Sequence, residues 1–209
     1  MAPPGREDGE PDRQADDAGF QQAWEGIRAA PDIQFAPMML RPAMPEDAPA
    51  LALLGRESFV AAFGHLYRAE DLAAFLDQTY SEAAVAAEIA DPAIIHCLAS
   101  DGPDGPLAGY CKLRQPSWYG QYSDAAKPIA LGQLYTDPAR TGSGIGAALM
   151  EWALAEARRR ECDAVQLSVW AENHRAQRFY RRYGFTQIAE VDFWVGGHRD
   201  DELLYELRL

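Results

Sequence analysis

The run from Leu131 to Met150 constrains the fold more than any other part of this 209-residue sequence. Leu134, Tyr135 and Thr136 close a β-prone segment, and Asp137-Pro138 ends it, because proline cannot donate to a ladder and restrains the residue before it. Gly142, Gly144 and Gly146 follow at every second position, interleaved with Thr141, Ser143, Ile145 and Ala147. From Ala147 the period becomes helical, with Leu149, Trp152, Ala153 and Ala157 at spacings of three and four. A strand, a glycine loop and a helix in that order place several backbone N–H groups, with little side-chain bulk, at the positive end of a helix dipole. That is an anion site, and a phosphate suits it.

Two familiar phosphate motifs fit the context poorly. No Gly-Lys-[Ser/Thr] closes the loop, so it is not a P-loop. Gly142-Ser-Gly144-Ile-Gly-Ala147 satisfies the dinucleotide pattern G-x-G-x-x-G/A, and Glu172 can serve as its acidic partner. But the loop begins about two-thirds of the way along the chain, and too little sequence follows to complete a doubly wound sheet.

A third pattern covers more of the chain. Thr141-Gly-Ser-Gly144-Ile-Gly146 resembles the cofactor motif Q/R-x-x-G-x-G/A of the GNAT superfamily of acyl-CoA-dependent N-acyltransferases, with Thr141 where Gln or Arg is usual and Arg140 one place earlier. Downstream, Asn173-x-x-Ala176-x-x-Phe179-Tyr180-x-x-x-Gly184-Phe185 resembles the family block N-x-x-A-x-x-F-Y-x-x-x-G-F, with every anchor present. The resemblance spans roughly residues 38–209 and implies an α/β (α+β) GNAT fold. That fold is a single mixed, mostly antiparallel sheet of about six to seven strands with helices on both faces.

The remaining elements follow in chain order. Residues 1–19 are rich in Pro, Gly, Asp and Glu and read as disordered; Phe20, Trp24 and Ile27 allow a short helix within residues 20–30. Residues 1–30 are thus an acidic extension. Met38–Arg41 reads as a first strand, followed by a helix running towards Phe59 that Phe63-Gly64 breaks. Two short helices are expected at Ala69–Thr79 and Glu82–Ile89, the second capped by Ser81. A hairpin, Ile94–Ala99 with Leu107–Leu113, turns across Asp101-Gly-Pro-Asp-Gly105. The central strand is Ile129–Thr136 and the next Ala164–Trp170; a helix over Asn173–Tyr183 ends at Gly184. Phe185–Val195 and Glu202–Leu207 form a closing antiparallel pair across Gly196-Gly197.

The resemblance assigns roles residue by residue. The N–H groups from Gly142 to Ala147 hold the pyrophosphate of acetyl-CoA, the implied co-substrate, with Thr141, Ser143 and Ile145 in the same loop. Leu134, Tyr135 and Thr136 lie alongside its pantetheine arm as if it were an added strand. Tyr180 matches the family's general acid for the leaving thiolate. A phenol of pKa ~10 is protonated at neutral pH, and a thiol titrates near ~8.5. Asn173 is an N-cap, a cofactor contact or both, and Arg182 is a candidate for the nucleotide phosphates. Many relatives carry a glutamate on the central strand, but Ile129–Gln133 holds no carboxylate. Gln133 can orient a water and cannot act as a base. Glu57, Asp124 and Glu172 are candidate bases, and the base stays unassigned.

Charge bears on partners. The formal net charge is −13, yet residues 138–182 carry a net +3 while residues 42–137 carry −8. The segment assigned to the anionic co-substrate is the basic one, and an acidic acceptor half attracts a cationic amine. Nucleic acid is not an expected partner. No metal site is expected, and no apolar run reaches the ~18 residues of a membrane span. The N-terminus lacks the pattern of a secretory signal. Cys97, Cys111 and Cys162 sit in or beside apolar runs without metal-binding spacing, which points to free thiols and a cytoplasmic, reducing location.

The activity implied is acetyl transfer from acetyl-CoA to a primary amine by direct attack. Phe59-Val-Ala-Ala-Phe-Gly64, Val169-Trp170-x-x-Asn173 and Phe193-x-Val-Gly196 resemble the bacterial spermidine/spermine N-acetyltransferase subgroup, so a polyamine leads as acceptor. A peptide or protein amine is the runner-up. The alternatives of another class are a catalytically silent acyl-CoA-binding regulatory module and, behind it, an NAD-type binding domain. A homodimer is compatible with the family.

Overall fold

A computed structural model of the chain describes residues 38–103 and 105–209; the acidic extension and the short helix expected within it lie outside the described residues. Seven strands form one sheet: β1 (Met38–Pro42), β2 (Ile94–Asp101), β3 (Leu107–Arg114), β4 (Pro128–Thr136), β5 (Ala164–Trp170), β6 (Thr186–Val195) and β7 (His198–Arg208), in the order β1-β2-β3-β4-β5-β7-β6. Only β4 and β5 pair in parallel; the other neighbours are antiparallel. The expected mixed, mostly antiparallel sheet is therefore the one formed.

Helices cover both faces because the strands bury both faces. On β2, Cys97 and Ala99 join Ile145, Leu149, Met150 and Ala153 of helix α4 (Ile145–Arg159), while Leu98 between them joins Leu51, Leu54 and Val85 on the opposite side. That opposite side is built by α1 (Ala48–Phe63), α2 (Ala69–Tyr80) and α3 (Glu82–Ala90), and α5 (His174–Arg182) lies with α4. The period of two in β2, Cys97 against Leu98, is what one strand between two helical layers requires. Ser81 caps α3 by accepting from the Ala84 N–H at 3.3 Å.

At the start of α1 the Arg41 guanidinium donates two hydrogen bonds to Asp47, at 2.6 and 2.7 Å, and the Met44 N–H donates a third at 2.7 Å. The Arg41 bonds hold the Asp47 carboxyl below its usual value, against the opposing effect of burial. A lowered folded pKa adds stability above the unfolded-state value of ~3.9 and loses it as pH falls through the folded value. Asp47→Asn is thus expected to cost about 1.5–3 kcal/mol at pH 7. Thermal unfolding should show the gap between variant and parent narrowing towards pH 3.

Two of the boundaries that differ from the sequence reading bear on the site. Helix α4 begins at Ile145, two residues early, because Gly144 takes the N-cap position. Strand β7 begins at His198 rather than Glu202, because the polar run His198–Asp201 pairs with Asp192–Val195 of β6 across the tight Gly196-Gly197 turn.

Candidate active site

The sheet splits where β4 meets β5. Their parallel ladder covers only Pro128↔Ala164, Ile129↔Val165 and Ala130↔Gln166. Beyond it, β4 stays paired with β3 through Gly109↔Thr136, and β5 stays paired with β7 through Trp170↔Glu202. The edges of β4 from Leu131 and of β5 from Leu167 therefore face each other without a shared ladder. The irregularity that bends β4 sits at Gly132, an extra residue opposite the Lys112–Leu113 step of β3. A Cβ there would lie 2.9 Å from the tip of the Trp118 ring, so glycine lets that ring lie against the strand.

Both strands run into helix starts on the same side of the sheet. After β4, a 3₁₀ turn (Pro138–Arg140) leads to the glycine loop and α4. Arg140 pins this turn through two hydrogen bonds to Asp101, at 2.6 and 2.9 Å, so its guanidinium anchors the loop. Gly142 and Gly144 have φ of +87° and +89°, and a Cβ on either would meet nothing within 4 Å. The backbone thus holds a left-handed turn with open space beside it. Gly144 gives α4 no side-chain cap, so the first-turn N–H groups of Ile145, Gly146 and Ala147 point outward from the helix start. Thr141 and Ser143 are exposed in the same loop, with the Ser143 hydroxyl donating to the Arg140 carbonyl at 2.6 Å.

After β5, Asn173 caps α5, its side-chain oxygen accepting from the Ala176 N–H at 3.0 Å and leaving its NH₂ available. The other end of α5 meets the first turn of α4: the Tyr183 hydroxyl donates to the Ala147 carbonyl at 3.5 Å. Arg182 is exposed at that end, its guanidinium 5.6 Å from the Phe179 ring centroid. Leu134, Tyr135 and Thr136 occupy the unpaired half of β4. Tyr180 packs edge-on to Phe179 and Phe185, centroids 5.5 and 6.0 Å away. Burial, with the negative charge of Glu202 added, pushes its phenol up to about 12. The structure thus gathers the motif residues around one split.

Gln133 is tied to two tyrosines in the structure. Its amide is taken up by protein: the oxygen accepts from the Tyr110 hydroxyl at 3.1 Å, and the NH₂ donates to the Tyr80 hydroxyl at 3.0 Å. Burial raises Tyr80, Tyr110 and Tyr135 well above an ordinary phenol, so all three are neutral. The three carboxylates that are candidate bases by sequence lie at the surface. Glu57 is exposed; the Glu172 side chain is 71% exposed beside His174; the Asp124 side chain is 94% exposed and pairs with Arg208.

The carboxylate that does sit beside the split is Glu202 on β7. It faces Trp170 across the β5–β7 ladder and is half-buried. Nearby on that face, Tyr67 donates to Asp200 at 2.6 Å, Tyr119 to Ser168 at 2.9 Å, and Phe63 meets Trp170 edge-on with centroids 6.2 Å apart. Leu203, Tyr205 and Leu207 alternate with Glu202, Leu204 and Glu206, which sets Glu202 on the other strand face from Leu203 and Leu207 but does not place it opposite Trp170.

A mostly antiparallel sheet that opens beside one parallel pair, with an uncapped glycine loop at the mouth, defines an acyltransferase of the GNAT type. The acetyltransferase (GNAT) family profile matches residues 57–185, and the chain belongs to that family as an acyl-CoA-dependent N-acetyltransferase. An uncharacterised N-acetyltransferase of Mycobacterium bovis is 32% identical over 75% of this chain and 94% of its own length. One from Lactobacillus delbrueckii subsp. lactis is 29% identical over 78% and 93%. The PaiA N-acetyltransferase of Thermoplasma acidophilum, solved with coenzyme A, superposes with a TM-score of 0.66 at 22% identity over 82% of this chain and 99% of that one.

Proposed function

We propose that the protein moves the acetyl group of acetyl-CoA to a primary amine, and that the acceptor is a cationic amine of the polyamine class. The observation that carries the reading is the unpaired edge of β4 running directly into a glycine loop with positive φ and open space. The residues fit the co-substrate. A loop without Cβ bulk admits a pyrophosphate against the N–H groups of Gly142 to Ala147. The free backbone from Leu134 to Thr136 can pair with an extended amide-bearing arm. When bound, acetyl-CoA supplies the acetyl group on an activated thioester. Arg182, at the end of α5 beside the first turn of α4, adds positive charge on the phosphate side.

The chain's own groups do the rest. Tyr180 carries a proton throughout the physiological range and offers it to the sulfur side of the split. On the other side, Glu202 and Asp200 lie among Phe63, Tyr67, Tyr119 and Trp170. Carboxylates among aromatic faces attract an ammonium group and stack on its alkyl stem. That combination supports a polyamine over a neutral amine.

The test is free-thiol release from acetyl-CoA across spermidine, spermine, lysine peptides and N-terminal peptides. Release with the polyamines above the peptides is the expected result. Release only with peptides would move the acceptor class. Acetyl-CoA binding by calorimetry with no release from any amine would favour a silent binder.

A further inference from the structure

We infer that the Glu202 carboxylate is the base that takes the proton from the acceptor ammonium. This rests on the transferase reading above and fills the role that no central-strand carboxylate can take. Three observations place it. Glu202 sits in ladder register with Trp170, the last residue of β5, at the margin of the strand that has left β4. It lies on the aromatic side of the sheet, with Tyr119 and Ser168 next to it. And it is half-buried without a cation: Asp47, Glu88 and Glu206 pair with Arg41, Lys112 and Arg208, whereas no described lysine, arginine or histidine pairs with Glu202. A shielded carboxylate lacking a protein cation is suited to an incoming one.

The groups facing it come from four strands and helices and two connecting segments. Asp200 shares β7, Ser168 is on β5, Tyr67 follows α1, Tyr119 precedes β4, and Tyr135 and Tyr180 stand across the split on β4 and α5. Burial raises the Glu202 carboxyl above the usual range, Asp200 adds to the rise, and Ser168 partly offsets it. A carboxyl raised in this way is a stronger base than a surface one, which suits general-base work.

Protons balance as follows. The acceptor R–NH₃⁺ gives one proton to Glu202, freeing the nitrogen lone pair, and Glu202 later returns that proton to solvent. A second leaves nitrogen as the N–C bond forms and replaces the one Tyr180 delivers to the departing sulfur, which keeps the electrons of the broken C–S bond. The third stays on the amide. The two steps are coupled, since neutralising Glu202 removes one of the two causes that hold the Tyr180 proton on.

The experiment is Glu202→Gln in the amine assay, with kcat/KM followed against pH and acetyl-CoA affinity measured alongside. We expect turnover to fall about 10²–10⁴-fold with acetyl-CoA affinity retained. The acidic limb should move up towards the amine's own pKa, near ~10.4 for an alkylammonium. An acceptor already unprotonated at the assay pH should recover most of the loss, which a merely structural role would not allow. Glu202→Asp, should the glutamine variant fail to bind acetyl-CoA, is expected to keep a displaced limb and partial rate. An active parent with an unaltered rate and limb in the variant overturns the assignment while leaving the transferase reading intact. A parent inactive towards every amine overturns both.

Discussion

Tyr180→Phe is expected to lower kcat by about 10²–10⁴ while leaving acetyl-CoA affinity unchanged. The substitution removes one oxygen and keeps the ring. The contacts to Phe179 and Phe185 are ring contacts, and no described residue hydrogen-bonds the hydroxyl, so stability should change by less than about 1 kcal/mol. What is lost is the proton facing the split. A phenol near 12 does not yield its proton to a free thiolate unaided, since the thiol titrates near ~8.5. Two features of the site ease the transfer. A hydrogen bond from the phenol to the sulfur would stabilise the charge that develops there. Neutralisation of Glu202 by the ammonium proton also lowers the phenol at the moment it is needed. Single-turnover kinetics would separate the chemical step from product release. A variant with the parent's single-turnover rate would reassign Tyr180 to packing against α5's neighbours.

The coupling between Tyr180 and Glu202 explains which parts of the site were legible in the sequence. The glycine loop and the α5 block are local: strand, turn and helix are encoded within a few residues, and glycine at positive φ leaves a mark in the composition itself. The loop could therefore be placed from its spacing, and Tyr180 from the resemblance of its block to the GNAT motif. Glu202 could not. Its relation to Trp170 is a ladder pairing across 32 positions, made by a strand whose first four residues, His198 to Asp201, have low β propensity. Those residues join β7 because β6 and the Gly196-Gly197 turn hold them in register. Read without that pairing, Glu202 sits at the edge of a strand rather than inside one. The candidates Glu57, Asp124 and Glu172 proved to be surface residues, because a carboxylate's place in the sequence says little about which side of a split sheet it faces. Gln133 shows the converse. It stands where the family often places a carboxylate, but Tyr80 and Tyr110, from α2 and β3, occupy its amide.

The split itself was only half legible. The β-prone run ending at Thr136 announced a strand, and the resemblance implied a mixed, mostly antiparallel sheet around it. The two strands part after three residue pairs, next to the extra residue at Gly132 on which the Trp118 ring lies. A residue some fourteen positions upstream thus lies against the strand whose edge the glycine loop completes.

Gly144→Val should weaken acetyl-CoA binding by about 100-fold, or about 2.8 kcal/mol at 1.4 kcal/mol per tenfold, with a smaller loss of thermal stability. Two costs act together. At φ +89° a β-branched side chain is strained, by about 1–3 kcal/mol, and the loop can relieve that only by turning the first N–H groups of α4 away from their common direction. The space beside Gly144 is open, so the valine itself fits; the strain falls on the backbone, and the methyl groups then stand where a pyrophosphate must approach. Gly146 provides the internal comparison. It lies within the helix, and an added Cβ there would make ordinary contacts at 3.7 Å to Leu134 and 3.8 Å to Thr136. Gly146→Ala should therefore keep the fold and lose much less affinity than Gly144→Val. Isothermal titration of both variants with coenzyme A separates the two contributions. Equal, small losses would remove the loop from the binding site, whereas a large loss confined to Gly144 would tie the phosphate to the left-handed turn ahead of α4.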